Sequence, residues 1–417
     1  MKQDNPSVLL ITIDSIRDDR SHYLTAKSKE LEDDFAEFSA ISHGVATPLA
    51  FPGIFSGTLA RDNGEIPENQ ETLPEMTNSY STGFSNNGHL NSTRGYDRGF
   101  DNFADLAPPG DESILDQLRK LEWLKNNQQI QKIYNYLIRF YRDSDWYEGN
   151  ATVPIPYRPA SSVVEFGQRI LRDNPGFSWI HFMDPHAPYH PDTAVGEVPE
   201  LSVEELQSLT QKIYSAEYDR ISSEEADIIE KLYDGNVRYL AAHLSELLEW
   251  CKNQHWYSDS LIAITGDHGE LLGEHGEFTH PWDTTPYDEL INVPLFVKFP
   301  QFDFGGESFA HQVDHSDLHT LLKFYFKRPY GDEKRFEVLL NSKDKVSHSA
   351  SNSTIRATTS GGAIFRNRKG EVWTEGEVSE QAKEQLQEIQ FPNCGNPTQQ
   401  GPNTGEIEEQ LRALGYK

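Results

Sequence analysis

Ser7-Val8-Leu9-Leu10-Ile11-Thr12-Ile13-Asp14 is a run of aliphatic and β-branched residues that stops on an acid. An unbroken apolar run of this length, without alternation, reads as a strand buried on both faces. Phe177-Ser178-Trp179-Ile180-His181-Phe182, ending near Asp184, repeats the pattern, as does Ser260-Leu261-Ile262-Ala263-Ile264-Thr265, ending near Asp267. Val293-Pro294-Leu295-Phe296-Val297-Lys298-Phe299 is a fourth such run. Between them, residues 231–251 carry Leu232, Val237, Leu240, Leu244, Leu247 and Leu248 at helical spacing. Strands alternating with helices predict an open α/β sheet. Ligands in such sheets gather beyond the carboxyl ends of the strands, so strands that end in acids point to a site there.

The chain has 417 residues, enough for one large α/β domain with an appendage or for two to three ordinary domains. Its 37 basic and 66 acidic residues give a formal charge of −29, which excludes a nonspecific grip on nucleic acid or anionic lipid. Two cysteines, Cys251 and Cys394, exclude a disulfide framework and a thiolate zinc cluster. No run approaches the roughly 18 apolar residues that a membrane span needs. A soluble globular protein is expected. The carboxylates are spread along the whole sequence, as in Glu30-Leu31-Glu32-Asp33-Asp34, and read as a solvated acidic surface. One cause of such a surface is life in concentrated salt, where screening removes self-repulsion. The short apolar run near the amino terminus lacks a basic leader and a small-residue cleavage site, so a cytoplasmic location is expected.

Residues 115–141 also show helical spacing and sit between proline-rich stretches, so a helical insertion or lid is expected over about 109–158. After Pro300 the texture changes: Gly305-Gly306, a helix-like 316–326 and short strands near 363–365 and 371–373. The sequence thus divides into a catalytic α/β unit over 1–300 and a smaller α+β unit over 301–417, closed by a helix at 406–414.

Three segments carry chemistry. Thr265-Gly266-Asp267-His268-Gly269-Glu270, followed by Gly273-Glu274-His275-Gly276 and His280, offers a carboxylate and an imidazole at a strand-to-loop turn that glycines allow to be tight. A loop of solvated histidines is the plainer reading of that segment alone. Asp14 is the third candidate ligand, with a capping role as its structural alternative. Ala46-Thr47-Pro48-Leu49-Ala50-Phe51-Pro52-Gly53 places Thr47 at a helix start, where backbone donors favour negative charge. Thr47 is a candidate nucleophile if a metal lowers its pKa, and otherwise a cap. His181-Phe182-Met183-Asp184-Pro185-His186 puts two histidines and an acid in a proline-punctuated loop, suited to binding an oxyanion or protonating a leaving group.

Further segments extend the pattern: Gly95-Tyr96-Asp97-Arg98-Gly99-Phe100-Asp101, Leu232-Tyr233-Asp234 with Arg238-Tyr239, Tyr287-Asp288-Glu289 with Val293-Pro294-Leu295, and Asp314-His315-Ser316-Asp317-Leu318 with Thr320-Leu321-Leu322. Taken in order with the three above and with Asp14-Ser15-Ile16-Arg17, they resemble the sulfatase family of the alkaline phosphatase superfamily. The resemblance spans nearly the whole chain, with weak support only over about 109–158. It implies an alkaline-phosphatase-like central mixed, mainly parallel sheet flanked by helices, and a smaller carboxyl-terminal subdomain. Carried over residue by residue, it puts Asp14, Asp267 and His268 at metal-ligand positions and Thr47 at the nucleophile position. His186 and His280 fall at or near positions that contact the ester oxyanion or leaving group. Arg17 is assigned either to the anion or to a structural ion pair.

The departures from the family pattern are informative. Formylglycine-type sulfatases carry Cys or Ser in a Cys-x-Pro-x-Arg pattern, whereas here Thr47 stands at that place, proline comes early as Pro48, and Phe51 replaces the arginine. Threonine cannot be oxidised to the aldehyde, because its carbinol carbon carries a methyl. The usual second acid is Ser15. A threonine nucleophile resembles instead the phosphoester-cleaving relatives. The expected activity is a metal-dependent hydrolase of sulfate or phosphate esters, on a small-molecule or glycan substrate, with Ca²⁺, Mg²⁺ or Mn²⁺ favoured by the oxygen-rich donors. A phosphoryl-group transferase and a catalytically silent binder of anionic glycans are the alternatives. A second metal using Asp184 and His186 stays open.

Overall fold

A computed structural model describes residues 7–61, 64–105, 157–172, 176–300, 304–327 and 345–394. The insertion expected over 109–158, apart from its last two residues, and the helix expected at 406–414 lie outside the described residues. Ten strands come first in the chain: β1 (Val8–Ile13), β2 (Ala36–Ile41), β3 (Ser81–Ser85), β4 (Asn102–Asp105), β5 (Phe177–Phe182), β6 (Leu261–Gly266), β7 (Leu271–Leu272), β8 (Phe278–Thr279), β9 (Asn292–Lys298) and β10 (Ser308–Asp314). Eight of them form one sheet in the order β10-β2-β9-β6-β1-β5-β3-β4, while β7 and β8 pair as a separate ribbon. β1 is central and parallel to both β5 and β6. Only β9 runs antiparallel to its neighbours, so the sheet is mixed and mainly parallel, as expected.

The side-chain alternation of β1 splits the core into two layers. Leu9, Ile11 and Ile13 pack with Leu240, Leu244 and Leu247 of the long helix Ser223–Lys252 and with Val163 of the helix Ala160–Ile170. The long helix starts with a capping box: the Ser222 side chain accepts from the Glu225 N–H, and the Glu225 carboxylate accepts from the Ser222 N–H. Val8 and Leu10 face the opposite layer, with Phe51 and Phe55 of the helix Thr47–Ser56 and Leu318 and Leu322 of the helix His315–Lys327. No described helix is long and apolar enough to cross a membrane.

That second layer corrects the boundary expected after residue 300. β10 pairs parallel with β2 at the edge of the main sheet, and the helix after it buries Leu318, Leu321 and Leu322 in the main core. Gly305-Gly306 is a turn leading into β10; Gly306 takes φ +75° there. The smaller unit is the antiparallel sheet β11 (Ser347–Ala350), β12 (Thr354–Thr359), β13 (Gly362–Asn367) and β14 (Val372–Gly376), with the helix Glu380–Glu388 packed on it through Ala382 and Leu386. It joins the large unit by backbone pairing: Ala350 N–H donates to His43 O at 3.0 Å and Val45 N–H to Ala350 O at 3.3 Å.

Candidate active site

The register of the three central strands creates the site. Ile13 is level with Phe182 on one side and Gly266 on the other, so Asp14 and Asp267 leave the sheet side by side. Ser15 then turns back with φ +58°, in a region a non-glycine residue enters at a cost on the order of 1–3 kcal/mol. The turn aims the Ser15 N–H at Asp267 Oδ1, 3.3 Å away, and the Ser15 hydroxyl donates to Asp14 Oδ1 at 2.9 Å. Ser15 therefore binds the two acids together. The His268 N–H also donates to Asp267 Oδ1, at 2.7 Å, while Asp267 Oδ2 has no hydrogen-bond partner although it is fully buried.

His268 Nδ1 lies 2.8 Å from the Gly269 carbonyl. A carbonyl only accepts, so Nδ1 carries the proton and Nε2 presents its lone pair. Nε2 stands 3.5 Å from Asp14 Oδ1 and 3.7 Å from Asp267 Oδ2. The turn needs glycine at 269, because a Cβ there would fall 2.0 Å from the Glu289 carbonyl oxygen. Thr47 opens its helix with Pro48 behind it, and all ten residues of that helix are buried. The Thr47 hydroxyl donates to Asp14 Oδ2 at 3.2 Å and lies 3.4 Å from His268 Nε2. Four side chains expected from the sequence, Asp14, Thr47, Asp267 and His268, thus converge.

His186 and His280 line the same place. The His280 ring is centred 4.4 Å from that of His268 and 5.0 Å from that of His186. Each has its Nδ1 held, His280 by Glu270 Oε1 at 2.8 Å and His186 by the Ala187 carbonyl. Arg17 does not join them. Its guanidinium grips both oxygens of Asp19 at 2.9 Å, Glu274 at 2.7 Å and the Glu270 carbonyl at 3.1 Å, so the ion-pair alternative is the arrangement observed. Asp184 does not belong to the cluster formed by Asp14, Asp267 and His268. The sequence reading missed Asn87, whose amide donates to Asp14 Oδ2 at 2.7 Å and to Thr47 Oγ1 at 3.2 Å.

Burial pushes the Asp267 carboxyl well up, and the charge of Asp14 pushes it further. Burial alone would raise Asp14 as well, but His186, His181 and His268 together hold it well below the usual carboxylate range. Burial, reinforced by His280, lowers His268 to about 3, and burial lowers His280 to about 4. Two buried carboxylates and a neutral imidazole, with ligand atoms within 4.8 Å of one another and one carboxylate oxygen unpartnered, fit a divalent cation. The Thr47 hydroxyl adds a further oxygen, and hard oxygen donors with one imidazole suit Ca²⁺, Mg²⁺ or Mn²⁺.

A family model described as Sulfatase matches residues 6–318. The chain belongs to the sulfatase family. Among curated sulfatase-family relatives, it is 30% identical over 118 residues to the low-salt glycan biosynthesis sulfotransferase of Haloferax volcanii, which covers 28% of this chain and 25% of that protein. It is 29% identical over 118 residues to mouse iduronate 2-sulfatase, covering 28% of this chain and 20% of the relative. The matched region therefore spans a quarter or less of these relatives' length. The phosphonate monoester hydrolase of Agrobacterium radiobacter superposes with a TM-score of 0.59 at 14% identity, covering 89% of each chain. That likeness establishes the alkaline-phosphatase-like fold of this sulfatase-family chain.

Proposed function

We propose that this chain is a cation-dependent hydrolase that cleaves sulfate or phosphate esters through Thr47. The observation that carries the reading is the Thr47 hydroxyl, seated at a helix start between the Asp14 carboxylate and the lone pair of His268. Asp14, Asp267 and His268, with the Thr47 oxygen, would hold the cation. When bound, that ion supplies charge neutralisation for the ester and lowers the pKa of the Thr47 hydroxyl.

The chain's own groups do the rest. The Asn87 amide, donating to Asp14 Oδ2 and Thr47 Oγ1, holds the hydroxyl against its carboxylate, and the positive end of the Thr47 helix dipole faces the anionic ester. Asp14 Oδ2 accepts the Thr47 proton as Thr47 Oγ1 bonds to sulfur or phosphorus and the bond to the substrate's alcohol oxygen breaks. Burial keeps His186 and His280 neutral in the free protein; an anionic ester beside them favours their protonated form, from which a proton passes to the departing alkoxide. Water then attacks the threonyl ester, and its oxygen stays with the sulfate or phosphate while Thr47 regains its proton. No aldehyde is required.

Iduronate 2-sulfatase and phosphonate monoester hydrolase, as named relatives, support ester cleavage at sulfur and at phosphorus respectively. The sulfotransferase relative favours a second reading, in which an acceptor alcohol replaces water in the last step. The test compares an aryl sulfate, an aryl phosphate monoester and an aryl phosphodiester, with cation-stripped and cation-loaded protein, for wild type and Thr47→Ala. Turnover that needs the cation and falls to background in Thr47→Ala supports the reading, and full turnover by Thr47→Ala overturns it. Product that rises with added alcohol at the expense of hydrolysis identifies the transferase.

A further inference from the structure

The Asp14 carboxylate is contacted from beneath as well as from above. His181, opposite Thr12 in the pairing of β1 with β5, is fully buried, and its Nε2 lies 3.4 Å from Asp14 Oδ2. Its Nδ1 lies 2.8 Å from Thr12 Oγ1, which also receives the Trp179 indole N–H at 2.9 Å. The indole N–H only donates, so Thr12 Oγ1 accepts there and keeps its own proton to give. Giving it to His181 Nδ1 satisfies Thr12, Trp179 and Nδ1 together and leaves the imidazole proton on Nε2, toward Asp14. The opposite tautomer would leave the Thr12 proton without an acceptor and set an Nε2 lone pair against a carboxylate. Nε2 makes no hydrogen bond of good geometry, here or elsewhere, and Asp14 Oδ2 at 3.4 Å is the carboxylate oxygen it stands beside.

The ring is also clamped from the nucleophile's helix. Phe51 meets His181 edge to face, with centroids 5.2 Å apart at 85°, and touches Trp179 at 5.6 Å. Phe51 occupies the place at which the sequence departs from the arginine of the formylglycine pattern. One aromatic thus locks the ring that stands behind Asp14 to the helix that begins with Thr47.

We propose that His181 is the positioning residue of Asp14: the chain Trp179–Thr12–His181 fixes an Nε2–H beneath the Asp14 carboxylate, and Phe51 fixes the ring. The inference takes from the proposed function only the assignment of Asp14 as a cation ligand. Partners of this kind orient a ligand oxygen, and their loss typically weakens metal affinity by about 10–100-fold.

Two measurements on the full chain decide it. Histidine-selective ¹⁵N NMR of chelator-stripped protein, with the resonance identified by its absence in His181→Phe, shows a neutral Nε2–H tautomer; the Nδ1–H tautomer would overturn the proposal. Calorimetric titration with Mn²⁺ or Ca²⁺ shows affinity reduced roughly 10–100-fold in His181→Phe. Thr12→Val, a β-branched isostere that keeps the strand, shows a smaller loss. The double variant matches His181→Phe alone, because Thr12 acts through the ring. Wild-type affinity in His181→Phe, with the apo-protein melting as wild type does, would overturn the proposal, as would additive losses in the double variant. A wild type that binds no divalent cation defeats the proposed function, and the tautomer then decides this inference by itself.

Discussion

Asp184 offers a test of the buried electrostatics that does not depend on activity. It follows β5, its side chain is fully buried, and neither carboxyl oxygen makes a hydrogen bond of good geometry, the backbone N–H groups of Asp184 and Ala160 lying only loosely beside it. Burial raises it from the ordinary 3.8 to about 7, and the backbone N–H groups of Asp184 and Ala160 offset that only in part. The folded pKa lies above the unfolded one. Its contribution is therefore fully present below about pH 4, the unfolded value, and is lost as pH rises through about 7. A shift of about three pH units at about 1.4 kcal/mol each makes the loss about 4 kcal/mol at pH 8. Asp184→Asn removes the titration while keeping the shape. Any cost of the new amide is independent of pH, so the readout is how the stability difference changes with pH. Urea denaturation in chelator at pH 4, 6 and 8 should show the variant gaining on wild type by about 4 kcal/mol across that range, with half of the gain or more present by pH 6. A difference that stays flat from pH 4 to 8, or that moves in favour of wild type, would refute the account of this carboxyl.

Other perturbations have equally definite outcomes. A divalent cation at 100 times its dissociation constant should stabilise the chain by about 2.7 kcal/mol, and Asp267→Asn should abolish the gain; thermal melts with and without chelator read both. Gly269→Ala drives a Cβ into the Glu289 carbonyl, which should cost about 1–3 kcal/mol and, by shifting His268, weaken cation binding in calorimetry. The charge of −29 should make the unfolding midpoint rise steeply between 10 mM and 1 M KCl, as the screening length falls from about 30 to about 3 Å; a flat salt profile would remove the case for adaptation to brine.

The parts of this site legible in the sequence are those where chemistry and pattern coincide. Asp14 and Asp267 each end a continuous apolar run, and two such runs in a parallel sheet bring their ends together. Thr47-Pro48 marks a helix start by the fixed φ of proline, and the helix is there. Asn87 was not legible, because Asn86-Asn87-Gly88 has the composition of an ordinary turn. The strand before it, Ser81-Thr82-Gly83-Phe84-Ser85, lacks an apolar run and is buried by partners distant in sequence: a Cβ at Gly83 would fall 2.8 Å from the Phe100 and Phe103 rings. The boundary misplaced at residue 300 has a similar cause. Pro300 and Gly305-Gly306 look like a linker, yet β10 is recruited by pairing with β2, a contact across more than 250 residues that no local composition encodes. The fate of Arg17 turned on Glu274, equally remote in the chain.

The helix that carries Thr47 has no outward side. In a saturation mutagenesis screen, most helices yield a wave of tolerance with a crest every three to four positions, and Ser223–Lys252, buried along one stripe, should yield that wave. Positions 47–56 should instead appear as an unbroken intolerant block, bounded sharply by the half-open Gly57. Tolerated change in this segment would then come chiefly from exchanging several of its residues at once, so that repacking, rather than single replacement, is the route by which the surroundings of Thr47 can be altered.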